Sequence, residues 1–217
     1  MFLPGWFGVR SNDILPGEDK IILTDFGESF NPHQTPRSSS QTPPLLQPPE
    51  ARFSDQPLSF ASDIWTLACT IWEILGQRQL LESVFPTADR VTAEQVELLG
   101  LLPPEWWKKW DKRMEWFDED GELNSEVKNS RGQDGVRWTW DQRFDFCVQK
   151  PRAEAGLTMV SVEERRAFEA MHRMMLVFRP QERGTVKQVL ESEWMRDWGM
   201  PALEQSYGRT LDGVKCR

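Results

Sequence analysis

Between Phe60 and Leu75 the chain carries Ile64, Trp65, Leu67, Ala68, Ile71, Trp72, Ile74 and Leu75. These apolar residues spread over more than one side of a helix, and Gly76 stands where the helix would stop. Such a helix has to be surrounded by other elements, so residues 60–76 predict the centre of a helical core. Several stretches can surround it. Thr92 with Gln95 reads as a capping box for a short helix ending near Gly100. Pro103-Pro104 opens another, along which Trp106, Trp110, Met114 and Phe117 recur at helical spacing. Ser161 with Glu164 heads a helix whose core face is Phe168, Met171, Met175 and Phe178. Thr185 with Gln188 heads the last clear helix, with Val186, Val189, Leu190 and Trp194.

The β signal is confined to the N-terminal end. Ile14-Leu15 and Ile21-Ile22-Leu23 flank Pro16-Gly17-Glu18-Asp19, and a Pro-Gly pair suits a hairpin turn. Residues 31–49 hold six prolines and the run Ser38-Ser39-Ser40, which makes an irregular loop. Residues 118–137 are polar and glycine-containing, a second loop or insert. The fold class is therefore mainly α, with a small β-hairpin at the N-terminal end.

Composition excludes several classes of function. Hydrophobic residues at 39% and charged residues at 28% fit a folded chain, and 217 residues fit one domain. A formal net charge of -8 offers no general attraction to nucleic acid or to an anionic membrane, so neither is an expected partner. Cys69, Cys147 and Cys216 are odd in number and far apart, which points to a reducing compartment, cytoplasmic or nuclear. Met1 to Trp6 lacks the basic start of a signal peptide, so secretion is not expected. The longest apolar run, Met174 to Phe178, is far short of a membrane span. His33 and His172 have no paired spacing that would suit zinc. Asp118-x-Asp120-Gly121 lacks the third acidic position of a Ca²⁺ loop. Trp106, Trp110 and Trp116 recur on a helix, a pattern of packing rather than of base or sugar stacking.

Four short motifs carry chemistry. Asp25-Phe26-Gly27 follows the β-prone stretch Ile21 to Thr24, placing a carboxylate at a strand end with glycine behind it. Pro48-Pro49-Glu50 closes the proline-rich loop, Ser62-Asp63-Ile64-Trp65 opens the apolar helix, and Arg179-Pro180-Gln181-Glu182-Arg183 lies between the last two helices. Taken in this order, they resemble the C-lobe of a eukaryotic protein kinase: D-F-G, A-P-E, the start of the central helix, and the arginine that pairs with the A-P-E glutamate. Leu23 to Phe30, the stretch Phe85 to Pro104 and the Trp-rich insert are most similar to fungal SR-protein-kinase-like serine/threonine kinases.

The resemblance covers residues 12–198 and implies a division of the chain. Residues 1–11 are a leading segment of unclear origin, 12–30 the hairpin and D-F-G, 25–50 the activation segment and 60–76 the central helix. Residues 85–160 are a helix and insert, 161–198 the last helices and 199–217 a tail. It also implies roles. Asp25 is the ligand for Mg²⁺ on ATP, and Asn12 lies at about the distance of the catalytic-loop asparagine that holds a second metal. Phe26 and Gly27 shape the turn, Asp63 holds the catalytic-loop backbone, and Glu50 should face Arg183. The Ser38-Ser39-Ser40, Thr35 and Thr42 hydroxyls fall in the activation segment, where phosphorylation is conceivable, but with only Arg37 and Arg52 nearby they read first as a solvated loop.

The departures from the family are as informative. The sequence has no G-x-G-x-x-G loop, no V-A-I-K strand lysine and no H-R-D-x-x-x-x-N loop, so no catalytic residue is identifiable. Mg²⁺ and ATP are the family's cofactors, and this chain is expected to bind neither. The resemblance therefore implies a kinase-like C-lobe that is not competent alone, or a non-catalytic pseudokinase-type module that binds a protein partner or docking peptide. Phe26 and the stretch around Ile22 are expected to form an apolar patch, exposed or covered by Phe2, Leu3, Trp6 and Phe7.

Overall fold

The computed structural model describes residues 24–76, 78–83, 85–129 and 131–205. The expected hairpin, Asn12, Ile22, the leading segment 1–11 and Cys216 lie outside these residues. The helices are α1 (Glu50–Phe53), α2 (Phe60–Leu75), α3 (Ala88–Leu99), α4 (Pro104–Lys109), α5 (Arg113–Trp116), α6 (Trp140–Phe144), α7 (Lys150–Glu154), α8 (Val162–Met175) and α9 (Val186–Leu190). The chain is mainly helical, and no strand occurs among the described residues. Two isolated bridges, Phe117 with Leu123 and Lys128 with Asp134, pin the insert.

Ser59 fixes where α2 begins. Its hydroxyl accepts from the Ala61 N–H while the Ser62 hydroxyl accepts from the Ser59 N–H, closing a capping box. One face of α2, made of Ile64, Trp65, Ala68, Cys69 and Trp72, is buried. Trp72 is wholly enclosed, with the rings of Trp140, Phe144, Phe168 and His172 centred 5.9, 6.0, 5.8 and 5.7 Å away. Helix α8 packs against α2 here. The buried His172 ring joins them, with Nε2 3.1 Å from the Ala68 carbonyl and Nδ1 2.9 Å from the Phe168 carbonyl. Burial pushes His172 down to about 4, so the ring is neutral and one nitrogen donates.

The helix is not enclosed on every side, as the sequence had suggested. Phe60, Leu67 and Ile74 recur at every seventh position on its outer side, and Ile74 is 72% exposed. Gly76 ends α2 for a reason of space. Its φ is -98°, so left-handed freedom is not needed, but a Cβ there would lie 2.9 Å from the Cys147 carbonyl oxygen.

Several helix boundaries differ from the sequence reading. Helix α3 starts at Ala88, capped by Thr87, whose hydroxyl accepts from the Arg90 N–H. Thr92 is no cap. It is buried inside α3, where its hydroxyl donates to the Ala88 carbonyl and accepts from Arg52. The expected single helix over Trp106 to Phe117 is broken into α4 and α5. Trp110 leaves α4 with ψ 93°, and its indole N–H donates to Asp89 Oδ1 at 2.9 Å.

Residues 140–154 form an unanticipated helical stretch, with a π-turn (Asp145–Gln149) between α6 and α7. Pro151 accounts for the wide turn. It has no N–H to give the Cys147 carbonyl, and its ring would press on that carbonyl in a regular helix. The same pairing recurs at Met195–Gly199, a π-turn followed by Pro201. Helical structure continues through Gln205.

Candidate functional site

The segment from Asp25 to Glu50 is irregular and held from both sides. Arg37 pairs with Glu28 at 2.9 Å, its carbonyl accepts from the Leu58 N–H, and its guanidinium lies over the Phe30 ring. Gln47 donates to the Ser40 carbonyl, and Thr66 on α2 donates to the Leu46 carbonyl at 3.1 Å. Between this segment and the first turns of α2 lies a cleft of about 720 Å³. Asp25, Arg37, Ser39, Ser40, Ser59 and Asp63 are among its walls.

Asp25 is the one non-glycine residue with positive φ among the described residues, at φ 63° and ψ 56°. The left-handed region costs an L-residue roughly 1–2 kcal/mol, although aspartate tolerates it better than most. Backbone outliers of this kind cluster at functional positions. Phe26 follows on a short 3-10 turn with Gly27 and is 66% exposed. Asp63 opens onto the same cleft from the first turn of α2, and burial raises its carboxyl above the ordinary range although the residue stays exposed overall. It makes no hydrogen bond or ion pair among the described residues.

The structure brings Glu50 and Arg183 together. Arg183 Nη1 donates to Glu50 Oε1 and Nη2 to Oε2, each at 2.9 Å, across 133 residues of sequence. Both side chains are buried. The remaining guanidinium donors go to the carbonyls of Ala61, Val177 and Phe178, so every N–H of Arg183 has an acceptor. Ser62 donates to Glu50 Oε1 at 2.9 Å, and the Trp65 ring lies under the guanidinium at 5.2 Å. A buried pair this completely hydrogen-bonded fixes α1, the start of α2 and the segment after α8 in one arrangement.

A second buried ion cluster gave no motif in the sequence. Arg143 donates to Glu94 Oε2 at 3.1 and 3.2 Å and to the carbonyls of Leu80 and Trp138, and it lies 3.7 Å from Glu97. Burial, with Glu94 close by, pushes Glu97 up to about 7. The available signal was the Thr139–Gln142 capping box and the spacing of Trp140, Phe144, Cys147 and Val148, which place Arg143 on a helix. Cys69 and Cys147 are pushed up to about 12 and about 11 by burial, so neither thiol is a nucleophile.

The fit to Mg²⁺ and ATP is poor. Among the described residues no group of three or more His, Cys, Asp or Glu comes together. Arg37, the cation on the Asp25 wall of the cleft, is engaged by Glu28. Mg²⁺ is held by one or two carboxylates together with substrate phosphates and water, and apart from the engaged Arg37 no Lys or Arg among the described residues lines this cleft to hold those phosphates. No protein-family model matches the sequence, and a search of curated proteins returned no match.

Proposed function

We propose that this chain is the large helical lobe of a protein serine/threonine kinase-like fold, of the SR-protein-kinase-like kind, and that it does not transfer phosphate by itself. The observation that carries the reading is the bidentate Glu50–Arg183 pair. Motif order alone nominates these two residues, and a chance set of motifs gives no reason for residues so far apart to meet in a buried, fully bonded pair. The left-handed Asp25 and the Asp63 carboxyl on one cleft add support. In a kinase-type lobe both face the nucleotide and the catalytic loop. Phosphoryl transfer also needs a hydroxyl-orienting base, a lysine on the phosphates and two held metals. The 217 residues contain no motif for the first two.

The test is a radiolabelled phosphotransfer assay of the full chain with Mg²⁺ and ATP on a Ser/Arg-rich peptide and on a generic basic substrate. Incorporation should stay at the level of the protein-free control. Transfer that disappears in Asp25→Ala would sink the inactive reading.

A second reading, a pseudokinase-type module that binds a protein partner, is favoured by the Phe60, Leu67 and Ile74 stripe. A row of exposed apolar residues along the helix that centres the core has the chemistry of a docking face. The double substitution Leu67→Glu and Ile74→Glu should leave the melting temperature unchanged and remove binding of a hydrophobic dye. Dye binding that persists would rule out the stripe as that face.

A further inference from the structure

We propose that the cleft between the α2–α3 connection and the insert binds a phosphorylated serine or threonine side chain of a partner peptide. The inference uses none of the residues that carry the kinase-type reading and stands or falls separately. The cleft, about 720 Å³, is lined by Arg78, Glu82, Phe85, Arg90, Trp116 and Arg131 among others. Three guanidiniums converge on it, each held by an aromatic face. Arg78 lies 4.5 Å over Phe146, Arg131 lies 3.4 Å over Phe146 and 4.2 Å over Trp138, and Arg90 lies 5.3 Å over Trp116. A guanidinium held over an aromatic face loses less freedom on binding, and its planar N–H fork can meet a phosphoryl group bidentately.

The local charge is not balanced. Arg131 Nη2 lies 2.7 Å from Glu82 Oε2, and Arg90 lies 3.5 Å from Glu94, which Arg143 already engages from behind. Arg78 has no ion-pair partner among the described residues. Three guanidiniums (Arg78, Arg90, Arg131) and one carboxylate (Glu82) line the cleft, and with the buried Arg143, Glu94 and Glu97 behind it the local set keeps one positive charge in excess. Burial holds Arg131 below its ordinary range even with Glu82 beside it, and Arg78 and Arg143 add to that push. An incoming anion relieves this repulsion.

The surroundings choose between anions. The cleft is larger than a single oxyanion requires, and Phe85, 81% exposed, stands with Trp116 as an apolar wall for a neighbouring side chain. That favours a phosphoryl group carried on a peptide over free phosphate. A nucleic acid needs a track of cations for successive phosphates, whereas this excess is confined to one cleft in a chain of net charge -8.

The test is fluorescence polarisation of the full chain with a labelled heptapeptide pool bearing a central phosphoserine and degenerate flanking positions. The unphosphorylated pool, inorganic phosphate as competitor and a single-stranded oligonucleotide run beside it. The phosphorylated pool should bind at least about tenfold more tightly than the unphosphorylated one and weaken with salt. Arg78→Gln, at an exposed position, should remove most of that preference with the melting temperature unchanged. Phe85→Ala should weaken the peptide but not inorganic phosphate. Equal binding of the two pools, no binding of the phosphorylated pool, or an unaffected Arg78→Gln variant overturns the proposal. Inorganic phosphate bound as tightly as the pool overturns the peptide assignment, and so does an oligonucleotide bound as tightly through Arg78.

Discussion

Replacing Arg183 by alanine tests how the two ends of the described chain are joined. The substitution deletes five N–H donors and leaves the Glu50 carboxylate buried, with the Ser62 hydroxyl as its remaining side-chain partner. It also strips donors from the carbonyls of Ala61, Val177 and Phe178. Removing one partner of a buried pair costs roughly 3–5 kcal/mol, because the charge left behind is out of water and unpaired. Against a typical stability of about 5–15 kcal/mol this is a large share. Glu50→Gln is the milder probe, since the guanidinium keeps its carbonyl acceptors and should cost less. The double variant Glu50→Gln with Arg183→Met should cost less than the sum of the single losses, the difference being the coupling between the two sites. Urea unfolding followed by circular dichroism gives each value. Single losses below about 1 kcal/mol, the range of exposed pairs, would refute the reasoning.

Trp72→Ala should cost roughly 3–5 kcal/mol, because its four-ring cage cannot collapse, whereas Ile74→Ala two positions on should stay within about 0.5 kcal/mol. Equal losses by chemical denaturation would mean the outer side of α2 is wrongly assigned. Stability should also depend on pH through two opposed groups. Glu97 is raised from 4.5 to about 7, so its contribution is full below the unfolded value and is lost as pH rises through about 7. His172 is lowered from 6.5 to about 4, so its contribution is present above 6.5 and is lost as pH falls through about 4. Glu97→Gln should remove the fall in melting temperature that Glu97 contributes as pH rises from about 4.5 to about 7, and so steepen the loss on acidification that His172 causes. An unchanged profile would count against the buried Glu97.

Much of the core was legible because local signals agreed with burial. Serine or threonine caps preceded α8 and α9, and the apolar run over 60–75 marked α2 to the residue. The Glu50–Arg183 pair was legible only through motif order, since nothing local in either segment points to the other. Buried charge was not legible. Glu94, Glu97 and Arg143 carry no motif, and only their tertiary meeting explains them. Residues 140–154 were missed because Pro151 argues against a continuous helix, while the chain accommodates it with a widened turn. Trp110 shows the converse, where a regular helical spacing is broken by one indole bond to Asp89.

The measurement that bears most directly on an inactive kinase-type lobe is the melting temperature of the full chain with and without Mg²⁺ and ATP. A ligand at 100 times its dissociation constant adds about 2.7 kcal/mol to the folded state, which scanning fluorimetry resolves easily. The account predicts no shift in the native chain and none in Asp25→Ala, because Arg37, the cation lining that cleft among the described residues, is engaged by Glu28 and no group of three or more metal-ligating side chains forms there. A clear ATP-dependent rise that vanishes in Asp25→Ala would contradict it and establish a working nucleotide site.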